Sequence, residues 1–268
     1  MGEYVHAGDL EIWTEQVGEG PDVLLIGGLG DTVESWQFQL DGLAGRYRLT
    51  AFDNRGAGRT AMPEDPVSVE AMADDAASLL RALDVSSAHV AGFSGGSKIS
   101  QELALRHPEL VRSLVLQSTW SVPDPYLRSW GLFVRSFAEV APSERAFLEG
   151  FYLWIYTARA HNDGTVDQII EEVLAFPHKQ STEDLQRFLD AFLDHDTTDR
   201  LGEIAAPTLV LAGGRDPTSR PELCRAVAEL IPGALFEVME EESHQPFQEV
   251  PEEWNARVDA FWREVDSR

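Results

Sequence analysis

The chain has 268 residues, 43% of them hydrophobic, and carries 46 acidic against 21 basic side chains for a formal net charge of -25. That length supports one large domain, or one domain with an insertion, while the acidic excess excludes nucleic-acid backbones and anionic membrane surfaces as natural partners and disfavours strongly anionic substrates. The single cysteine, Cys224, leaves no internal disulfide and no cysteine-rich metal site, and neither a basic-then-apolar leader nor a span-length apolar run is present, so a cytoplasmic location is expected.

Residues 4–17 read as a hairpin turning at Gly8-Asp9. Residues 22–26, 48–52, 89–93, 113–117, 208–212 and 234–238 are short runs rich in Val, Leu and Ile and read as strands. Between several of them lie amphipathic stretches, 67–83, 97–106, 221–230 and 251–265, which read as helices. The alternation predicts an α/β fold with a largely parallel sheet covered by helices on both faces. Residues 120–199 break the rhythm with helical patterns, many aromatics and no convincing strand, punctuated by Pro123, Pro125, Pro142 and Pro177. They read as a helical insertion, leaving 1–119 and 200–268 as the core domain.

The stretch Gly92-Phe93-Ser94-Gly95-Gly96 falls between a strand and a helix. A serine on so sharp a turn has strained backbone angles, and the neighbouring strand and helix leave no space for a Cβ at the flanking positions, hence the glycines. Ser94 then stands at a helix start, where free N–H groups and the positive end of the dipole favour negative charge on a bound carbonyl oxygen. A serine hydroxyl needs a base to take its proton, and the base an orienting acid. Of seven histidines, His244 follows a strand and a polar turn at the sheet edge where sites collect, and Asp216 in Gly213-Gly214-Arg215-Asp216-Pro217 falls on the same edge. The alternative acid position after residue 117 reads Ser118-Thr119-Trp120, without a carboxylate. Asp194-His195-Asp196 reads as a solvated helix end rather than a metal site, and Asp53 and Arg55 as loop-structuring residues.

With the order Ser94, Asp216, His244 in place, the chain resembles the α/β-hydrolase family over nearly its whole length, and within it the esterase, lactonase and haloperoxidase branch with a helical lid. Gly27-Gly28-Leu29-Gly30 stands where the family has its His-Gly-x-Gly oxyanion loop, Asp53 to Thr60 is similar to the Asp-x-Arg-Gly-x-Gly-x-Ser segment, and His244-Gln245-Pro246-Phe247 resembles the histidine segment. Gly27 and Ser243 depart from the usual histidine and glycine. The resemblance implies an eight-stranded, mostly parallel sheet, a lid at 120–199, a Ser94-His244-Asp216 triad, and an oxyanion hole made by the Leu29 and Gly95 amides. It implies hydrolysis of a small carboxylic ester or lactone without cofactor or metal. The same triad in relatives also serves C–C bond hydrolysis, natural-product tailoring and ligand-binding receptors, and fold does not separate these. The aromatic insertion suggests an apolar or aromatic small-molecule substrate, with Gly28, Trp36, Trp120, Trp130 and Trp154 as candidate contacts, Trp36 and Trp120 reading equally as core.

Overall fold

The computed structural model describes residues 2–268; Met1, the first residue of the expected core, lies outside them. In chain order the elements are β1 (Glu3–Ala7), β2 (Leu10–Val17), β3 (Asp22–Ile26), α1 (Gln37–Leu43), β4 (Arg48–Phe52), α2 (Val69–Ala82), β5 (Ala88–Phe93), α3 (Gly95–Arg106) and β6 (Val111–Gln117). Five helices follow, α4 (Pro125–Val140), α5 (Glu144–Tyr152), α6 (Ala158–Asn162), α7 (Thr165–Ala175) and α8 (Thr182–Asp194). The chain then returns through β7 (Thr208–Gly213), α9 (Pro221–Leu230), β8 (Leu235–Met239), α10 (Pro246–Glu249) and α11 (Pro251–Asp266). The eight strands form one sheet in the order β1-β2-β4-β3-β5-β6-β7-β8, antiparallel through β1, β2 and β4 and parallel from there on.

Period-two side-chain alternation divides the interior into two cores. Leu24 and Ile26 of β3, Val90 of β5 and Val210 and Ala212 of β7 pack with α2, α3 and α9 on one face. Val23 and Leu25, Ala91 and Phe93, and Leu209 and Leu211 of the same strands pack with α1 and α11 on the other. Both faces of the central strands are therefore apolar, which is why they read as continuous hydrophobic runs. The terminal hairpin turns at Gly8, whose φ of +66° suits glycine. α2 is stopped cleanly at its start by Ser68, whose side chain accepts the Ala71 N–H.

Helix α1 is absent from the predicted elements. It has seven residues and follows a short 3-10 turn, too little chain to show a periodic pattern, and is held by its buried Leu40 and Leu43 against α11.

The segment 120–199 contains the five helices and, among the described residues, no strand. Tyr152, Ile155, Tyr156, Val166 and Ile170 give it a small core of its own, while Leu127, Phe188 and Phe192 join the main core. Burying a side chain of that size contributes about 1.5–3 kcal/mol, so these three residues anchor the segment to the sheet domain. No helix among the described residues is long and apolar enough to cross a membrane.

Candidate active site

β5 delivers Ser94 with φ +52° and ψ -118°, and α3 begins at the next residue, two positions earlier than the apolar pattern predicts. The space argument holds at both flanking glycines. A Cβ on Gly96 would sit 2.6 Å from the Gly27 carbonyl oxygen and closer still to that of Ile26, and one on Gly92 would run into the Gly96 carbonyl. Gly95 is covered by the Phe192 ring from α8. Ser94 thus stands on a strained turn because α3 presses against the end of β3, and it alone of the three candidate residues retains appreciable exposure.

His244 and Asp216 come from the loops after β8 and β7. A side chain on Gly213 or Gly214 would collide with the backbone of 240–243, so this pair of glycines lets the two loops touch. The result is a hydrogen-bonded chain: Ser94 Oγ lies 3.0 Å from His244 Nε2, and His244 Nδ1 lies 2.7 Å from Asp216 Oδ2. Asp216 Oδ1 accepts the Thr218 and Ser219 N–H groups and the Thr218 hydroxyl, so it does not serve as the cap of α9. Burial alone would push the Asp216 carboxyl up, but His244 beside it and the Thr218 hydrogen bonds hold it below the ordinary carboxylate value. With Asp216 ionised, Nδ1 carries a proton and Nε2 is free to accept one from Ser94.

Two backbone N–H groups complete the arrangement. Among the described residues neither Leu29 nor Gly95 N–H has an acceptor, whereas Gly28 N–H donates to Asp31 Oδ2 at 2.8 Å. Asn54 holds the same loop through the Gly27 carbonyl. A serine, an oriented imidazole and two free amides can add to an acyl carbon and hold the resulting oxyanion.

A family model of the alpha/beta hydrolase fold matches residues 21–249. The chain belongs to the α/β-hydrolase family. This hydrolase is 32% identical over 265 residues to the protein of Azorhizobium caulinodans named "Putative carbamate hydrolase RutD", covering 98% of this chain and 99% of that one. It is 25% identical to a thermophilic esterase of Thermogutta terrifontis with a TM-score of 0.85, covering 99% of this chain and 98% of the other. At 23% identity the enol-lactonase of Burkholderia xenovorans shares the fold, with a TM-score of 0.87 and coverage of 97% and 99%.

The substrate-contact candidates of this hydrolase divide. Gly28 borders Ser94: a Cβ there would lie 3.1 Å from the Ser94 Cβ. Trp130 lies against the Phe151 ring and packs, as Leu29 does, on the cluster of Val134, Leu189 and Leu193, and Trp154 lies against Phe133 next to Ile155, whose carbonyl accepts the His244 N–H. Trp36 must be corrected. It is 1% exposed, stacked on Phe247 at 4.4 Å in the core on the α1 and α11 face, because the short turn before α1 points it inward. Trp120 is likewise buried in the core on the other face, beside Leu127 and Phe192. Two clefts, of about 340 and 390 Å³, lie at α2 with α8 and within 146–170, and neither includes Ser94, Asp216 or His244.

The reading of residues 194–196 as a solvated end also needs correcting. Asp194 and Asp196 are exposed, but His195 is buried and its Nε2 meets Glu102 at 2.7 Å. Glu70, Glu102 and His195 bring ligand atoms within 4.8 Å of one another, yet Arg200 already pairs with Glu102. Asp53 braces its loop through the Val33 and Arg59 N–H groups, and Arg55 pairs with Asp75.

Sequence reasoning missed Thr218, whose hydroxyl sits between Asp216 and His244 Nδ1, and Ser118, whose hydroxyl holds the His244 carbonyl from a backbone at φ +53°. Neither carries a motif signal.

Proposed function

We propose that this hydrolase cleaves small carboxylic esters or lactones with apolar or aromatic groups, using Ser94 as nucleophile, His244 as general base and acid, and Asp216 as orienting carboxylate. The observation that carries this reading is the hydrogen-bonded chain from Ser94 through His244 to Asp216, flanked by the free amides of Leu29 and Gly95. In the proposed reaction His244 Nε2 takes the Ser94 proton as Oγ bonds to the acyl carbon, and the two amides receive the oxyanion. Collapse expels the alcohol oxygen, which receives that proton from His244. His244 then deprotonates water, which attacks the acyl-enzyme and frees the acid and Ser94.

The segment 120–199 acts as the lid. Its Phe192 covers Gly95, and its Ile155 carbonyl fixes the His244 backbone, so residues of the cap set both the ceiling of the site and the placement of the base. Trp130 and Trp154 are its proposed apolar walls, which suits an apolar substrate enclosed when bound.

A second reading is favoured by the full-length likeness to the Azorhizobium caulinodans protein named "Putative carbamate hydrolase RutD". A carbamate offers the same acyl carbon to Ser94, with nitrogen in place of carbon on one side.

A fluorophosphonate probe with matched p-nitrophenyl esters, lactones and carbamates tests both. Labelling should be confined to Ser94, and Ser94→Ala should lose about 10⁴-fold or more in turnover while melting like the parent. Substantial residual hydrolysis in Ser94→Ala overturns the assignment. Carbamates turned over faster than the matched esters would promote the second reading.

A further inference from the structure

Two buried carboxylates stand on either side of His244 in the chain. The Glu242 side chain is 7% exposed and that of Glu249 1%, and one guanidinium meets both. Arg159 Nη1 and Nη2 donate to Glu242 Oε1 and Oε2 at 3.1 and 2.6 Å, and Nη2 reaches Glu249 Oε2 at 3.5 Å. Arg159 belongs to α6 of the 120–199 segment, and its chain neighbours reinforce the contact. Thr157 gives its N–H to Glu249 Oε1 at 3.1 Å and its hydroxyl to Oε2, while Tyr156 gives its hydroxyl to Gln248 at 2.6 Å. The Ile155 carbonyl takes the His244 N–H at 3.0 Å. Residues 155–159 thus hold the stretch 242–249 at residues 242, 244, 248 and 249.

Ser94 is placed differently. Its turn is fixed by β5, by α3 and by the close approach of Gly96 to the end of β3, all parts of the sheet domain. The 3.0 Å between Ser94 Oγ and His244 Nε2 is therefore a distance between a residue set by the sheet and one set in part by the 120–199 segment. On the sheet side the histidine loop already presses on Gly213 and Gly214, and Ser118 holds the His244 carbonyl at 2.9 Å. If Glu242 lost its cation it could not stay in place. A buried carboxylate left unpaired, with Glu249 close by, costs far more than the pair contributes, and turning it out to water moves the backbone two residues from the base.

We propose that Arg159 is a positioning residue for His244: by pairing with Glu242 and Glu249 it holds the loop between them where Nε2 reaches Ser94, and so ties the placement of the base to the seating of α6. The inference rests on the serine-hydrolase reading and gives the 120–199 segment a part in the chemistry beyond covering the site.

The test is the rate at which a fluorophosphonate labels Ser94, resolved into probe affinity and limiting rate. Arg159→Met should lower the limiting rate at least about tenfold and leave the affinity within about threefold, because positioning of the base acts on the attack and not on binding. In a Glu242→Gln background, where the partner charge is gone, the same change should cost less than about threefold. The hydrogen that His244 Nδ1 holds against Asp216 should give a far-downfield proton NMR line in the parent, and that line should shift or broaden in Arg159→Met. An equal cost in both backgrounds overturns the role of Arg159. So does an unmoved line accompanied only by a lower melting temperature, which would make the arginine a structural residue. Glu242→Gln alone stands as a test where Arg159→Met fails to fold: it should slow labelling and move the line, and a limiting rate and line equal to the parent's overturn the proposal. Failure of the probe to label Ser94 in the parent overturns the hydrolase reading and this inference with it.

Discussion

Ser94, Gly92 and Gly96 form a unit in which each residue type is dictated by a neighbour's position. Gly96 is the most constrained, because what a Cβ there would strike is backbone of β3, which cannot rotate aside. Gly96→Ala should therefore lower the melting temperature by about 6 °C or more. Gly164→Ala serves as the control: its φ of +87° makes alanine strained, but nothing lies within 4 Å, so a loss of about 2–3 °C is expected. Equal melting of Gly96→Ala and the parent would mean that α3 does not approach β3 this closely. That Ser94 would sit on a sharp turn and meet His244 and Asp216 was legible because the steric need for glycine, the polar turns and the order of the three residues all leave traces in the chain. Whether Trp36 contacts substrate or fills the core stayed open in the sequence, because proximity to the Gly27–Gly30 loop along the chain says nothing about which face of the sheet a side chain enters. Thr218 and Ser118 were invisible because a single hydroxyl in a turn looks the same whether or not it holds a histidine.

At the scale of elements, the alternation of short apolar runs and amphipathic stretches gave the strands and the long helices their places, while α1 was lost to its length. Segment 120–199 was legible as helical, but not how it is fastened. Lys98 of α3 is fully buried, which pushes its pKa down to about 7, and its Nζ donates to the Ser121 carbonyl at 2.5 Å and the Thr197 hydroxyl at 3.1 Å, one at each end of the insertion. One turn on, Glu102 takes His195 and Arg200 from the returning chain. Burial would raise the Glu102 carboxyl, but the His195 and Arg200 hydrogen bonds outweigh it and bring the pKa down to about 2. A carboxylate whose folded pKa lies below its unfolded value contributes stability above the unfolded pKa and loses it as pH falls through the folded one. Thermal melts of Glu102→Gln should lie several degrees below the parent at pH 6 to 7, the gap narrowing below about pH 4.5 and closing toward pH 2. A gap that stays constant through that range would show that the charge of Glu102 contributes nothing and that only its shape matters.

The whole molecule carries a formal charge of -25, and its 46 acidic groups outnumber the 21 lysines and arginines by more than two to one. Many of the basic groups are already engaged, among them Arg48 with Asp22, Arg55 with Asp75 and Arg106 with Asp74, so much of the remaining acid meets only other acid across the surface. Salt acts on this in two opposed ways: it weakens the exposed ion pairs, each contributing about 0–1 kcal/mol, and it relieves the repulsion summed over the compact state. The excess of acid makes relief the larger effect. Screening shrinks from about 30 Å at 0.01 M to about 10 Å at 0.1 M, so the gain should come early. The melting temperature is expected to rise by several degrees between 10 mM and 0.2 M NaCl and then level off. A rise that only begins above 0.5 M and continues linearly would instead report exclusion of salt from the apolar surface, and a fall would mean the ion pairs dominate.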